Sequence, residues 1–83
     1  MDARVAVISI VVERAESVEA LNALLHSYRK WIIGRMGLPY PARDISLMSI
    51  AMDAPQDQIN SLTGALGRLE GVTAKAAFAK QTN

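Results

Sequence analysis

Residues 34–40, Gly34-Arg35-Met36-Gly37-Leu38-Pro39-Tyr40, are where the side chains of this sequence come nearest to chemistry. The Arg35 guanidinium can offer a planar fork of donors to a carboxylate or phosphate. The glycines on either side of Arg35 and Met36 allow a bulge or a close backbone approach. Arg29, Lys30, Arg35 and Arg43 form a basic run, with no acidic residue between Glu19 and Asp44. This pattern fits an anion-binding or partner-docking corner, and it fits a solvated basic surface around a structural turn better. The candidate ligand residues are Arg35, Met36, Gly37 and Tyr40, joined by Thr63, Gly64 and Arg68 further along the chain. Gly64 and Gly67 fall inside an expected helix, where each glycine costs about 1 kcal/mol relative to alanine. Either a close approach by another backbone or tight internal packing would account for them.

Other chemistries find little to build on. Cysteine is absent, which removes disulfides, thiol nucleophiles and thiolate metal sites. His26 is the only histidine, and Lys30 occupies the position four residues on, so no metal-ligand spacing is present. No cofactor or metal is expected. No phosphate loop, nucleophile–base motif or cluster of carboxylates occurs, and the chain reads as a non-enzyme. A catalytic role would need a dry pocket around His26, Tyr28 or Tyr40.

The elements that must position these residues are written twice. Val18, Leu21, Leu25 and Tyr28 recur as Ile59, Leu62, Leu66 and Leu69, each displaced by 41 positions. Each set is a helical stripe at i, i+3, i+7 and i+10, preceded and followed by an apolar run. Strand–helix–strand repeated in one small chain predicts an α+β, ferredoxin-like βαββαβ sandwich, with sheet order 4-1-3-2 and both helices on one face. The expected strands are Arg4–Glu13, Trp31–Met36, Ile45–Asp53 and Val72–Ala79. Helix one runs from an N-cap at Ser17 to about Arg29. Helix two begins with Pro55 in its first turn and ends near Glu70, with Gly71 as the residue that closes it. Gly37–Arg43 reads as a proline-stiffened loop, and Lys80–Asn83 as a tail.

Strands one and three are apolar on both faces. Ala6, Ile8, Ile10 and Val12 alternate with Val5, Val7, Ser9 and Val11; Met48, Ile50 and Met52 alternate with Ile45, Leu47 and Ala51. Two helices cover one face only, so the second is left for another subunit, another chain or an apolar ligand. Leaving it wet would forgo about 1.5–3 kcal/mol per large side chain. Self-association about a two-fold axis is the default for a small domain.

With 83 residues the chain is one domain, 1–83, and a net charge of +1 gives no strong pull toward nucleic acid or an anionic membrane. Strands one and three carry no aromatic for stacking bases. Val5–Val12 is too short to cross a bilayer, and the expected location is the cytoplasm.

From Val7 to Lys80 the sequence resembles the small ACT-like proteins described as regulators of the iron-only hydrogenase system. The pieces that carry the resemblance are Glu-Ser-Val-Glu (16–19), Leu-Asn (21–22), Leu-His (25–26), Ile-Ile-Gly-Arg-Met-Gly-Leu-Pro-Tyr (32–40), Ile-Ser (45–46), Leu-Thr-Gly (62–64), Leu-Gly-Arg-Leu (66–69) and Gly-Val (71–72). The resemblance implies a ferredoxin-like fold of ACT type, homo-oligomers and a regulatory role. The turn Glu13–Glu16 lacks the glycine that amino-acid-sensing ACT domains commonly carry there. One histidine and no cysteine fall short of a nickel-sensing set.

The expectation is therefore a cytoplasmic homodimer or tetramer that binds a small anionic metabolite or a regulatory protein partner near a subunit interface. The alternative is a non-catalytic assembly protein that docks on a larger partner through its apolar sheet face.

Overall fold

β1 (Ala3–Val12) carries its buried residues at every second position, Ala6, Ile8, Ile10 and Val12, as a strand packed on one side must. The computed structural model to which it belongs describes residues 3–80, so the part of the expected tail beyond Lys80 lies outside the described residues. The remaining elements are α1 (Val18–Ser27), β2 (Ile32–Tyr40), β3 (Ile45–Pro55), α2 (Gln56–Gly67) and β4 (Val72–Phe78). The strands form one antiparallel sheet in the order β2-β3-β1-β4, which is the expected 4-1-3-2 read from its other edge. This small α+β domain has the strand order of a ferredoxin-like sandwich.

The centres of both helical stripes are buried, Leu21 and Leu25 in α1 and Ile59, Leu62 and Leu66 in α2. They join Ile8, Ile10, Ile50, Met52 and Ala54 in a single core. The stripe ends differ: Val18 is exposed, while Tyr28 and Leu69 are only half-buried against the core. Tyr28 and Trp31 stand at the boundary with ring centroids 6.1 Å apart, and the Tyr28 hydroxyl lies 2.9 Å from the Ser61 hydroxyl.

Several local expectations are corrected. Gly37–Tyr40 is strand rather than loop: β2 continues through Leu38↔Leu47 and Pro39↔Ser46 to Tyr40↔Ile45. Pro39 is tolerated because β2 is an edge strand, where a missing N–H interrupts no second ladder. A bulge at Ile33 precedes Gly34, since Ile32 pairs with Met52 and Gly34 with Ala51. Pro41–Arg43 forms a single 3-10 turn, and Asp44 closes it at φ 56°, a left-handed conformation that Asp tolerates better than most residues.

Ser17 does not cap α1 through its side chain. Its hydroxyl donates to the Glu70 carbonyl oxygen at 2.6 Å and so ties the turn before α1 to the turn after α2. Helix one stops at Ser27 and passes into a 3-10 turn at Arg29–Trp31. Helix two stops at Gly67, three residues before the expected end, and Pro55 stands at its N-cap position. Gly71 has φ 73°, and an added Cβ there would run into the Arg14 side chain. That is a position only glycine fills without strain. By contrast, an added Cβ at Gly64 meets only the Arg68 guanidinium at 3.5 Å, and at Gly67 it meets open space. Neither the sheet nor tight internal packing explains these two glycines.

Candidate functional site

Register decides what each residue of the candidate corner faces. Residues directly opposite in an antiparallel pair share a face. Arg35 opposes Ile50, Gly37 opposes Met48 and Pro39 opposes Ser46, which puts all three on the helix-covered side. Gly34, Met36, Leu38 and Tyr40 oppose Ala51, Ser49, Leu47 and Ile45 and belong to the open side. The corner is therefore split by the sheet itself.

On the helix side, β2 runs beyond the cover that the helices provide, and every residue from Ile33 to Asp44 is exposed. The Arg35 guanidinium reaches across to α1 and donates through Nη2 to Asn22 Oδ1 at a long 3.4 Å. It forms no ion pair among the described residues, where both salt bridges belong to Arg14, with Glu16 and Glu70. A groove of about 290 Å³ lies beside it, walled by Val18, Leu21 and Met48, with Gly37 and Ser46 also in its lining. Asn22 escaped the sequence reading because nothing in a helix pattern signals a contact 13 residues away in an edge strand.

On the open side, the four strands present Thr73, Lys75 and Ala77; Val5, Val7, Ser9 and Val11; Ile45, Leu47, Ser49, Ala51 and Asp53; then Gly34, Met36, Leu38 and Tyr40. Only Lys75 and Asp53 carry charge among these. Met36 is 70% exposed and Leu38 60%, with Val5, Val7 and Leu47 also exposed. A hollow of about 420 Å³ lies on this face across β1, β3 and β2, lined among others by Ser9, Ser49, Val11, Met36, Leu38 and Leu47. The face is less uniformly apolar than the strand pattern alone implies: a polar row, Lys75–Ser9–Ser49, crosses it.

The α2 candidates lie apart from both places. The strand that α2 packs against most is β4, the edge opposite β2. Three strand spacings, about 14 Å, separate those edges. Thr63 Oγ1 donates to the Ile59 carbonyl at 2.7 Å, one turn back along its own helix. Arg68 folds its guanidinium back toward Gly64.

The titratable side chains that a catalytic role would need do not converge. His26 is exposed on α1, Tyr28 is engaged with Ser61, and Tyr40 lines a small hollow at the hairpin end with Val18 and Ile45. Among the described residues no group of three or more His, Cys, Asp or Glu side chains could hold a metal ion. Among the described residues no helix is long and apolar enough to cross a membrane.

The comparisons with known proteins agree with one another. A family model described as "TM1266-like: Iron-only hydrogenase system regulator, putative" matches residues 4–76. The solved structure of an uncharacterized protein, TM1266 from Thermotoga maritima, is similar over 95% of this chain and 100% of that one, with 29% sequence identity and a TM-score of 0.91. No curated protein matches the sequence.

Proposed function

This chain belongs to the family described as "TM1266-like: Iron-only hydrogenase system regulator, putative", and from that premise we propose that it is a non-catalytic regulatory domain of ACT type, working as a cytoplasmic homo-oligomer. In this reading the open sheet face is the contact with a second copy, and a small ligand is read at the β2 edge beside that contact. The observation that carries it is the composition of the face. Val5, Val7, Met36, Leu38 and Leu47 are exposed on it together, and its two charges are of opposite sign.

A monomer that left this face in water would forgo about 1.5–3 kcal/mol for each large side chain, and an 83-residue chain has little stability to spare. A two-fold contact presents the same patch twice, so Lys75 of one copy can be set against Asp53 of the other without a net charge on the face. Ligand binding at β2 would then alter association, or association would alter ligand affinity, since the two equilibria are linked.

The test places a charge on the exposed apolar part of the face, at the β2 edge. Leu38→Glu should keep its fold by circular dichroism and lose self-association by light scattering. A variant that associates as the wild type does would remove the face from the interface. A wild type that is itself monomeric would favour docking on a larger partner.

A further inference from the structure

We propose that the groove between α1 and β2 is a binding site for a small monocarboxylate with an apolar body, held by Arg35 and Asn22 over a floor made by Gly37. This rests on the regulatory reading above and deepens it by naming the ligand class.

Three observations meet in this groove. The first is its charge. Arg35 is the only ionic side chain in the lining, and the nearest acids in sequence, Glu19 and Asp44, are not part of it. Arg35 spends one donor on Asn22 at 3.4 Å, a hydrogen bond at the weak end of the range, and among the described residues the other donors of the fork have no acceptor. With Asn22 Oδ1 turned to Arg35, its amide nitrogen is free to donate to a second ligand oxygen. One cation and one amide suit the single charge and two oxygens of a carboxylate. A phosphate carrying nearly two charges would leave one of them unmatched against an otherwise neutral lining.

The second is the wall. Val18, Leu21, Pro39 and Met48 supply apolar surface continuous with the polar end. A volume of about 290 Å³ falls just below the range of ligand pockets, about 300 to 1,000 Å³, and suits a body the size of one ring or a short branched chain.

The third is Gly37. Its φ is not positive, so the backbone does not demand glycine there, and an added Cβ would meet nothing within 4 Å, so packing does not demand it either. A side chain at this position on the helix side of β2 would enter the groove. The missing side chain is what keeps the groove open.

Phenylacetate and inorganic phosphate are the probes. Amide chemical shifts of the ¹⁵N-labelled full chain are followed as each is added to wild type, Arg35→Ala, Gly37→Leu and Arg43→Ala, with light scattering on the same samples. The expected result is a saturable phenylacetate response centred on Asn22, Arg35, Gly37 and Ser46, with a weaker or absent response to phosphate. Arg35→Ala should weaken phenylacetate by about tenfold or more. Gly37→Leu should abolish binding while remaining folded, and Arg43→Ala, outside the groove, should bind as the wild type does. No saturable response, equal responses to both anions, or undiminished binding by Gly37→Leu would each overturn the proposal. An oligomer that ignores phenylacetate defeats the groove alone, and a monomer that binds it defeats the self-association alone.

Discussion

Arg35 and Met36 are neighbours in the chain and stand on opposite faces of the sheet. Arg35 reaches Asn22 on the helix side, while Met36 lies 70% exposed on the open side, opposite Ser49. A strand alternates its side chains by construction, so any shift of β2 that improves the grip on a ligand at Arg35 also moves Met36 and Leu38. In a homo-oligomer joined through the open face, that alternation couples ligand to assembly with no intervening relay.

Gly71→Ala should be among the most damaging small substitutions. It forces a β-carbon onto a residue at φ 73° and into the Arg14 side chain. The left-handed conformation alone costs about 1–3 kcal/mol, and the crowding adds to it. Urea denaturation of the two proteins measures the difference; a loss below half a kcal/mol would mean that the turn relaxes freely.

Gly64→Ala should act in the opposite direction. The position is in the interior of α2, and an added methyl makes only an ordinary contact with Arg68. A gain of about 0.5–1 kcal/mol is expected in the same denaturation experiment. A loss of stability, or of association, would show that another chain packs closely on α2.

Ser17→Ala removes the hydroxyl that donates to the Glu70 carbonyl at 2.6 Å. Ser17 is the one buried polar residue of the described chain. The expected cost is about 1 kcal/mol, with the first loss of amide-exchange protection in the turns around Ser17 and Glu70. Unchanged protection there would mean that the two turns are held by the Glu13–Gly71 backbone bond and the Arg14–Glu70 ion pair instead.

Leu62→Ala tests the core that holds the sheet under both helices. Leu62 is fully buried at the centre of the α2 stripe. Removing its isopropyl group should cost about 2–5 kcal/mol, read as a fall in the urea midpoint at unchanged slope.

The architecture was legible where periodicity and burial coincide. The two stripes 41 residues apart name the buried faces of both helices, and the alternation of β1 and β3 names the central strands, because each pattern reflects a face that must leave water. Legibility failed where composition and context disagree. Gly37 and Pro39 look like loop, yet an edge strand pairs on one side only and accommodates Pro39 within it. Ser17 looks like a helix cap, yet its acceptor is a carbonyl 53 residues away.

The candidate site was half legible for the same reason. The Gly34–Tyr40 segment stands out from its own residues. Its division into an Arg35 side and a Met36 side, its meeting with Asn22, and its distance from Thr63, Gly64 and Arg68 depend on register and strand order, which no local pattern contains.

Self-association of the open face is the central claim, and light scattering across a dilution series of the wild-type chain tests it most directly. A dimer or tetramer that persists into the low micromolar range is the predicted result. A monomer at every concentration would contradict it.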